Sequence, residues 1–374
     1  MPQDDVLGDA IERLEWTEDK TERPTSERTR ITRRTALAGG ASGLAATLLA
    51  ACGSTAEATT TSTTSAAAAV FGSANPLKFA VVNHAKLSGV YLPTQNGAAD
   101  ACRLLGCSFA WTGSASANVA EMVGAINTAV AAKVDGIATS LIDATAFDGP
   151  VAAALDAHIP VISYSSDVHG NSRLAYVGSN PRLGGREMGE RIKMLLPSGG
   201  TIAVFIGVPG VTSLDSRMAG LTEGLSGSGI TIEQVASGPG QSQESKIIDA
   251  FITEHPHYHG FFAVDGASTA VVAQAIQSGG LAAKGVVGGG YDLTATTQQL
   301  LASGDLEFAI DEQQYLQGFL PILELYLYRM SNGLVGPADV DTGVRFVDKH
   351  AANGYIDNKS RFEGSSSSPG VQTS

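Results

Sequence analysis

The chain has 374 residues, with 24 basic and 37 acidic side chains, 43% apolar residues, 44 glycines and three cysteines. At about 100–200 residues per domain this makes two domains with room for a tail, each able to bury its own core. A net charge of −13 offers no positive field to phosphate backbones, which excludes nucleic acid as the expected partner; three cysteines exclude both a disulfide-stapled scaffold and a four-thiolate zinc cluster.

In chain order, a polar and charged leader runs to Arg34, and residues 35–51 carry no charge at all. That uncharged segment is Ala/Gly/Leu-rich and shorter than the ~20 apolar residues a membrane span requires. Thr32-Arg33-Arg34-Thr35-Ala36-Leu37 stands before it and Leu49-Ala50-Ala51-Cys52 closes it. Together they resemble a twin-arginine export signal with a lipobox, although the leader is long and Ala36 stands where such signals often carry phenylalanine. The resemblance implies that residues 1–51 are removed as a signal peptide and that Cys52 is lipidated. It places the chain outside the cytoplasm, anchored to the cell membrane, where two or more acyl chains hold stably. Residues 52–75 are mostly Thr, Ser and Ala, too poor in apolar bulk to order, and are expected to form a tether.

The folded part alternates two patterns. Apolar, β-branched runs predict strands at 77–85, 107–112, 136–141, 160–165, 174–177, 201–207, 231–236, 260–264, 286–290, 307–311 and 344–347. Helical spacing predicts helices between most of them, among them 91–105, 119–132, 148–158, 183–196, 213–225, 267–278 and 314–329. Continuous apolar strands alternating with helices indicate parallel sheets covered on both faces. The expected fold is α/β, two doubly wound parallel-sheet lobes with a ligand cleft between them. The first lobe takes 76–179 plus 312–336 and the second 180–311 plus 337–350, with crossings near Asn180, Asp311 and Gly336 and a flexible tail over 351–374. Strand carboxyl ends and helix amino ends line the facing edges, where ligands bind in this architecture.

Seven pieces, in order, carry a family likeness: Asn96-Gly97-Ala98, Lys133-Val134-Asp135-Gly136-Ile137, Ile159-Pro160-Val161-Ile162, Arg217-Met218-Ala219-Gly220-Leu221, Gly260-Phe261-Phe262-Ala263-Val264-Asp265, Gly289-Gly290-Tyr291-Asp292, and the stretch from Ile310 to Gly318. Over residues 76–348 the chain thereby resembles the ribose- and galactose-type periplasmic sugar-binding proteins, which have the type 1 periplasmic-binding-protein fold. The resemblance implies a monosaccharide or sugar alcohol as ligand, the permease subunits of an ATP-binding-cassette (ABC) importer as partner, a monomeric unit, no cofactor and no enzymatic activity.

By resemblance and position, the ligand-binding residues are His84, Ser88 and Tyr91 after the first strand, Ser140 after the third, and Ser165 and Asp167 after the fourth. The second lobe adds Arg217, Asp265, Tyr291, Asp292 and Glu312. Carboxylates that only accept and an arginine that only donates suit a polyol, whose every hydroxyl both gives and takes a hydrogen bond. Other uses stand beside these: Asp167 and Asp265 also suit helix caps, and Tyr291 suits core packing. Ser165-Ser166-Asp167 replaces the Asp-Arg pair of ribose binders, Glu312 stands at a usual glutamine and Ser242 at a usual aromatic, which argues against ribose.

His255-Pro256-His257-Tyr258-His259 invites a metal reading, but the resembling family has a His-Pro turn here, so no metal is expected. Cys102 and Cys107 suit either a disulfide or two small buried hydrophobes. Nucleotide loops and hydrolase motifs are missing. The rival readings are a sensory module presenting its ligand to a sensor protein, a sugar-responsive repressor core and an enzyme of unfamiliar type. A repressor would need a helix-turn-helix where residues 1–75 carry an export signal and a tether.

Overall fold

The strand β1 (Lys78–Asn83) shows how the apolar runs are used: after Lys78 every residue is buried, and successive side chains enter different cores. Phe79 and Val81 join one apolar cluster and Ala80 and Val82 another, on opposite faces of the same sheet. The computed structural model describes residues 76–238, 241–358 and 362; the leader, Cys52 and the tether lie outside them. The first sheet contains β1, β2 (Ser108–Gly113), β3 (Gly136–Thr139), β4 (Val161–Tyr164) and β5 (Ala175–Gly178). Its helices α1 (Leu92–Leu105), α2 (Val119–Ala131) and α3 (Asp148–Asp156) alternate with the strands.

After α4 (Pro181–Leu195) the pattern repeats. The second lobe contains β6 (Gly200–Ile206), α5 (Thr212–Gly224), β7 (Ile230–Ala236), α6 (Gln241–Glu254), β8 (Gly260–Ala263), α7 (Gly266–Ser278), β9 (Val287–Tyr291), α8 (Ala295–Ser303) and β10 (Phe308–Asp311). The chain then returns: α9 (Gln314–Met330) packs on the first sheet, where Ile322, Leu325 and Tyr326 meet Ala98, Ala101 and Cys102 of α1. The last strands divide, β11 (Val340–Asp341) pairing with β5 and β12 (Arg345–Val347) with β10. Each lobe is thus a six-stranded sheet, β11-β5-β4-β3-β1-β2 and β12-β10-β9-β8-β6-β7. All pairings are parallel except β12 with β10. This is the expected doubly wound arrangement.

Two boundaries differ from expectation. Because Val340-Asp341 extends the first sheet, the third crossing falls at 342–344 and not near Gly336, and residues from 337 do not all belong to the second lobe. A two-residue strand has no alternation to read. Residues expected to open the flexible tail form α10 (Lys349–Asn358), whose Ala352 is fully buried in the second lobe's core. Asp348 caps it, accepting from His350 N and Ala351 N at 3.0 Å each.

Glycines set the distance between two helix pairs. A Cβ on Gly185 or Gly189 of α4 would lie 2.1 or 2.5 Å from the Arg217 or Leu221 carbonyl oxygen of α5. On α5, a Cβ at Gly220 or Gly224 would lie 2.0 or 2.2 Å from the carbonyls of Arg182 and Arg186. Gly97 and Gly318 do the same for α1 and α9, at 2.1 Å from Tyr315 O and 1.9 Å from Thr94 O. The backbones touch where any side chain would hold them apart, and the α4–α5 contact fixes where Arg217 enters the interlobe space.

Candidate ligand site between the lobes

The facing sheet edges present the residues that follow β1, β3 and β4 on one side and β8, β9 and β10 on the other. Three non-glycine residues there hold left-handed backbone: Ser165 (φ 62°), Asp292 (φ 71°) and Gln313 (φ 60°). Such strain persists only where the surroundings enforce it, and it concentrates at functional edges.

On the first wall the side chains form a relay. His84 Nδ1 lies 2.8 Å from Ser140 Oγ, Tyr91 Oη 3.0 Å from His84 Nε2, and Tyr91 Oη 3.4 Å from Ser165 Oγ. Burial, reinforced by the Arg217 charge across the cleft, pushes the His84 pKa down to about 4. The imidazole is therefore neutral at physiological pH, with one nitrogen donating and one accepting.

The second wall centres on Arg217, which enters from α5 and is 6% exposed. Nη1 donates to Val264 O at 2.8 Å, Nη2 to Glu312, and the guanidinium lies 4.0 Å from the Tyr291 ring centroid. Burial opposes the guanidinium charge, but Glu312, Tyr291 and Asp292 more than offset it, raising its pKa above the ordinary value. The Tyr291 hydroxyl points away toward α4, where a Cβ on Gly184 would lie 3.0 Å from it, so Tyr291 props Arg217 from within the core. Asp265 caps α7 through Ser268 N (2.9 Å) and also accepts from Gly207 N (2.8 Å); burial raises its pKa against those bonds.

Glu312 lies on the second crossing and joins the other two. Ser179, on the first crossing, donates to Glu312 Oε1 at 2.6 Å; Thr342, on the third, donates to Glu312 O at 2.9 Å. Gln317 Nε2 donates to the same carbonyl at 2.8 Å. Ser179 and Thr342 have no sequence motif to mark them, whereas Gln317 lies inside the Ile310–Gly318 family stretch. Gln314, which donates to Asp292 Oδ1, falls inside the Ile310–Gly318 family stretch and was open to notice.

Ten of the eleven expected residues thus stand at sheet edges, but not all face the interlobe space with free groups. Ser88 caps the turn at Gly89–Tyr91, accepting from Val90 N at 3.4 Å, and so positions Tyr91. Asp167 is committed elsewhere. It pairs with Arg173, whose Nε reaches Asp167 Oδ1 at 2.6 Å, and accepts from Ser163 Oγ at 2.7 Å. A recess lined by Gly89, Val90 and Pro93 of the first lobe and by Asp292, Leu293 and Thr294 of the second spans the walls. The histidine motif serves the fold: His255 stacks on Phe251 at 4.0 Å and bonds Phe251 O at 2.8 Å, and His259 Nδ1 accepts from Thr201 N at 3.2 Å.

Asp292 carries a testable charge state. Burial first, then the negative charge of Glu312, push its carboxyl from 3.8 up to about 8 against the pull of Arg217. Between about pH 4 and pH 8 the folded chain holds a proton that the unfolded chain has released, so ligand-free stability should fall as pH rises through that window. Glu244 and Glu324, each pushed up to about 7 chiefly by burial, add to the same slope. Thermal melts from pH 5 to 8.5 are expected to flatten in Asp292→Asn relative to the parent; parallel curves would refute the assignment.

Known proteins resemble the chain in sequence and in fold. The profile of the periplasmic binding protein domain family matches residues 79–329. The xylose/arabinose-binding protein XylF of Sulfolobus acidocaldarius is 38% identical over 303 residues, 77% of this chain and 75% of that protein. A similar solved structure is an ABC-transporter solute-binding protein of Burkholderia graminis in complex with D-arabinose. It has a TM-score of 0.70 and 23% identity, and the match covers 76% of this chain and 99% of that one. Another is the XylFII–LytSN complex, with TM-score 0.67, 20% identity, and 74% and 99% coverage.

Proposed function

Since this chain belongs to the periplasmic binding protein domain family, whose members bind substrates and do not turn them over, we propose that it captures a monosaccharide or sugar alcohol between its lobes and delivers it to an ABC importer. The observation that carries the ligand class is the mixture of donors and acceptors that the second wall presents. Arg217 is buried with its Nε unpartnered, and Asp292 and Glu312 are buried, with Asp265 half-buried, around it. Asp292, holding its proton at neutral pH, can give as well as take, and the neutral His84 relay opposite does the same, which suits an uncharged ligand whose every hydroxyl donates and accepts. XylF is named for xylose and arabinose, so pentoses head the list of ligands. The twin-arginine leader and Cys52 support an exported, lipid-anchored protein.

Isothermal titration against D-xylose, L-arabinose, D-ribose, D-galactose and myo-inositol tests the reading. Saturable binding of at least one is expected, and no heat across the panel would sink it. A second reading, in which the loaded protein docks on another protein's domain in place of a permease, draws on the XylFII–LytSN complex. Pull-down with the cognate permease separates the two.

Closure also has an apolar component away from the ligand walls. Val211, in the loop before α5, is 7% exposed and belongs to the first lobe's cluster with Ile142, Phe147 and Val168; Val208 and Leu214 pack beside it. Contacts made only when the lobes meet favour the closed, binding-competent state. Val211→Ser is therefore expected to weaken sugar affinity about five-fold, equivalent to ~1 kcal/mol of lost burial. Titration checks this, with thermal melts showing the lobes still folded.

A further inference from the structure

Helix α1 ends in a left-handed Gly106 (φ 68°), and the Cys107 N–H closes back on the Cys102 carbonyl at 3.0 Å. This six-residue return is a Schellman cap, a motif that brings the side chains at its two ends into contact, usually as a hydrophobic pair. Here both ends are cysteines. Cys102 is buried in the cluster that joins α1 to α9, Cys107 packs on that cluster from the start of β2, and neither is bonded elsewhere. The two thiols act directly on each other: hydrogen bonding from Cys107, with burial second, holds the Cys102 thiol well above the ordinary thiol range.

We propose that Cys102 and Cys107 form a disulfide that staples the end of α1 to β2. An extracytoplasmic chain meets oxidising disulfides, and a cap that already brings the two residues together needs little backbone movement to join their sulfurs. The half-exposed Cys107 attacks a disulfide of a small-molecule or protein oxidant, releasing one thiol; Cys102 then attacks the mixed disulfide at the Cys107 sulfur and releases the second. One disulfide is consumed and one formed, and the two protons leave on the released thiols. The staple sits toward the far end of a 14-residue helix from Pro93, about 14 Å along its axis, so it stiffens the lobe without touching the ligand.

Arg103 lies between the two cysteines, which makes the test direct. The purified full-length chain is incubated natively with oxidised glutathione, alkylated without reduction and digested with trypsin, which cuts after Lys86, Arg103 and Lys133. The expected product is one linked species of residues 87–103 and 104–133 that separates on reduction; two singly alkylated or glutathionylated peptides would overturn the proposal. The oxidised chain should also melt about 5 °C above Cys107→Ser, and identical melting would overturn the staple.

Discussion

Replacing Arg217 by alanine is expected to abolish detectable sugar binding, a loss of more than about a hundred-fold, and to destabilise the fold by about 3–5 kcal/mol. The side chain is 6% exposed, and its removal leaves the buried Glu312 carboxylate with Ser179 alone. Lysine should not rescue it. A compact ammonium cannot reach Val264 O and Glu312 together while lying flat on the Tyr291 ring. Pairing Arg217→Ala with Glu312→Gln separates the two losses, because the second change removes the uncompensated charge without restoring the guanidinium to the wall. Urea unfolding should then recover much of its midpoint, while titration still shows no binding. If the double variant regains affinity, the guanidinium acts only as a structural counter-ion.

The other large effect is steric. Gly220→Val places a Cβ 2.0 Å from the Arg182 carbonyl oxygen, where neither backbone can give way without moving a helix. Overpacking of this kind costs about 1–3 kcal/mol in cores that can shift, and here more is expected because the obstacle is main chain. Spreading α4 from α5 also withdraws Arg217, so affinity should fall along with stability. Gly124 is the control: it lies within α2, is exposed, and nothing is within 4 Å of an added Cβ. Gly124→Ala should leave binding unchanged and raise stability by about 0.5–1 kcal/mol through helix propensity. Denaturant titration of both variants measures the contrast.

The alternation of elements is legible in the sequence because the central strands β1 and β6 are buried on both faces, so 79–82 and 202–206 read as unbroken apolar runs. β11 is invisible for the opposite reason, since two residues held by pairing with β5 carry no period of their own. At the site, Arg217, Asp292 and Glu312 stand out because the family pieces contain them, Asp292 and Glu312 just past strand ends and Arg217 within α5. Asp167 misleads: it stands at such an end too, but Arg173, six residues on, takes its carboxylate through a side-chain reach that spacing does not encode. Ser179 and Thr342 escape notice because their role is tertiary, joining chain segments 163 positions apart through one glutamate.

The return of α9 and β11 to the first lobe has a consequence for how the protein is born. As the chain leaves the ribosome, β1 to β5 emerge first, but the helix that covers one face of their sheet ends at Met330 and their last strand at Asp341. During synthesis the half that starts first stays incomplete until residue 341 is out, leaving Phe79, Val81 and Ile162 without their full cover while most of the later half is being made. A nascent polypeptide in that condition is sticky, and a chaperone that shields α1 and its sheet until residue 341 is out would raise the yield of native protein.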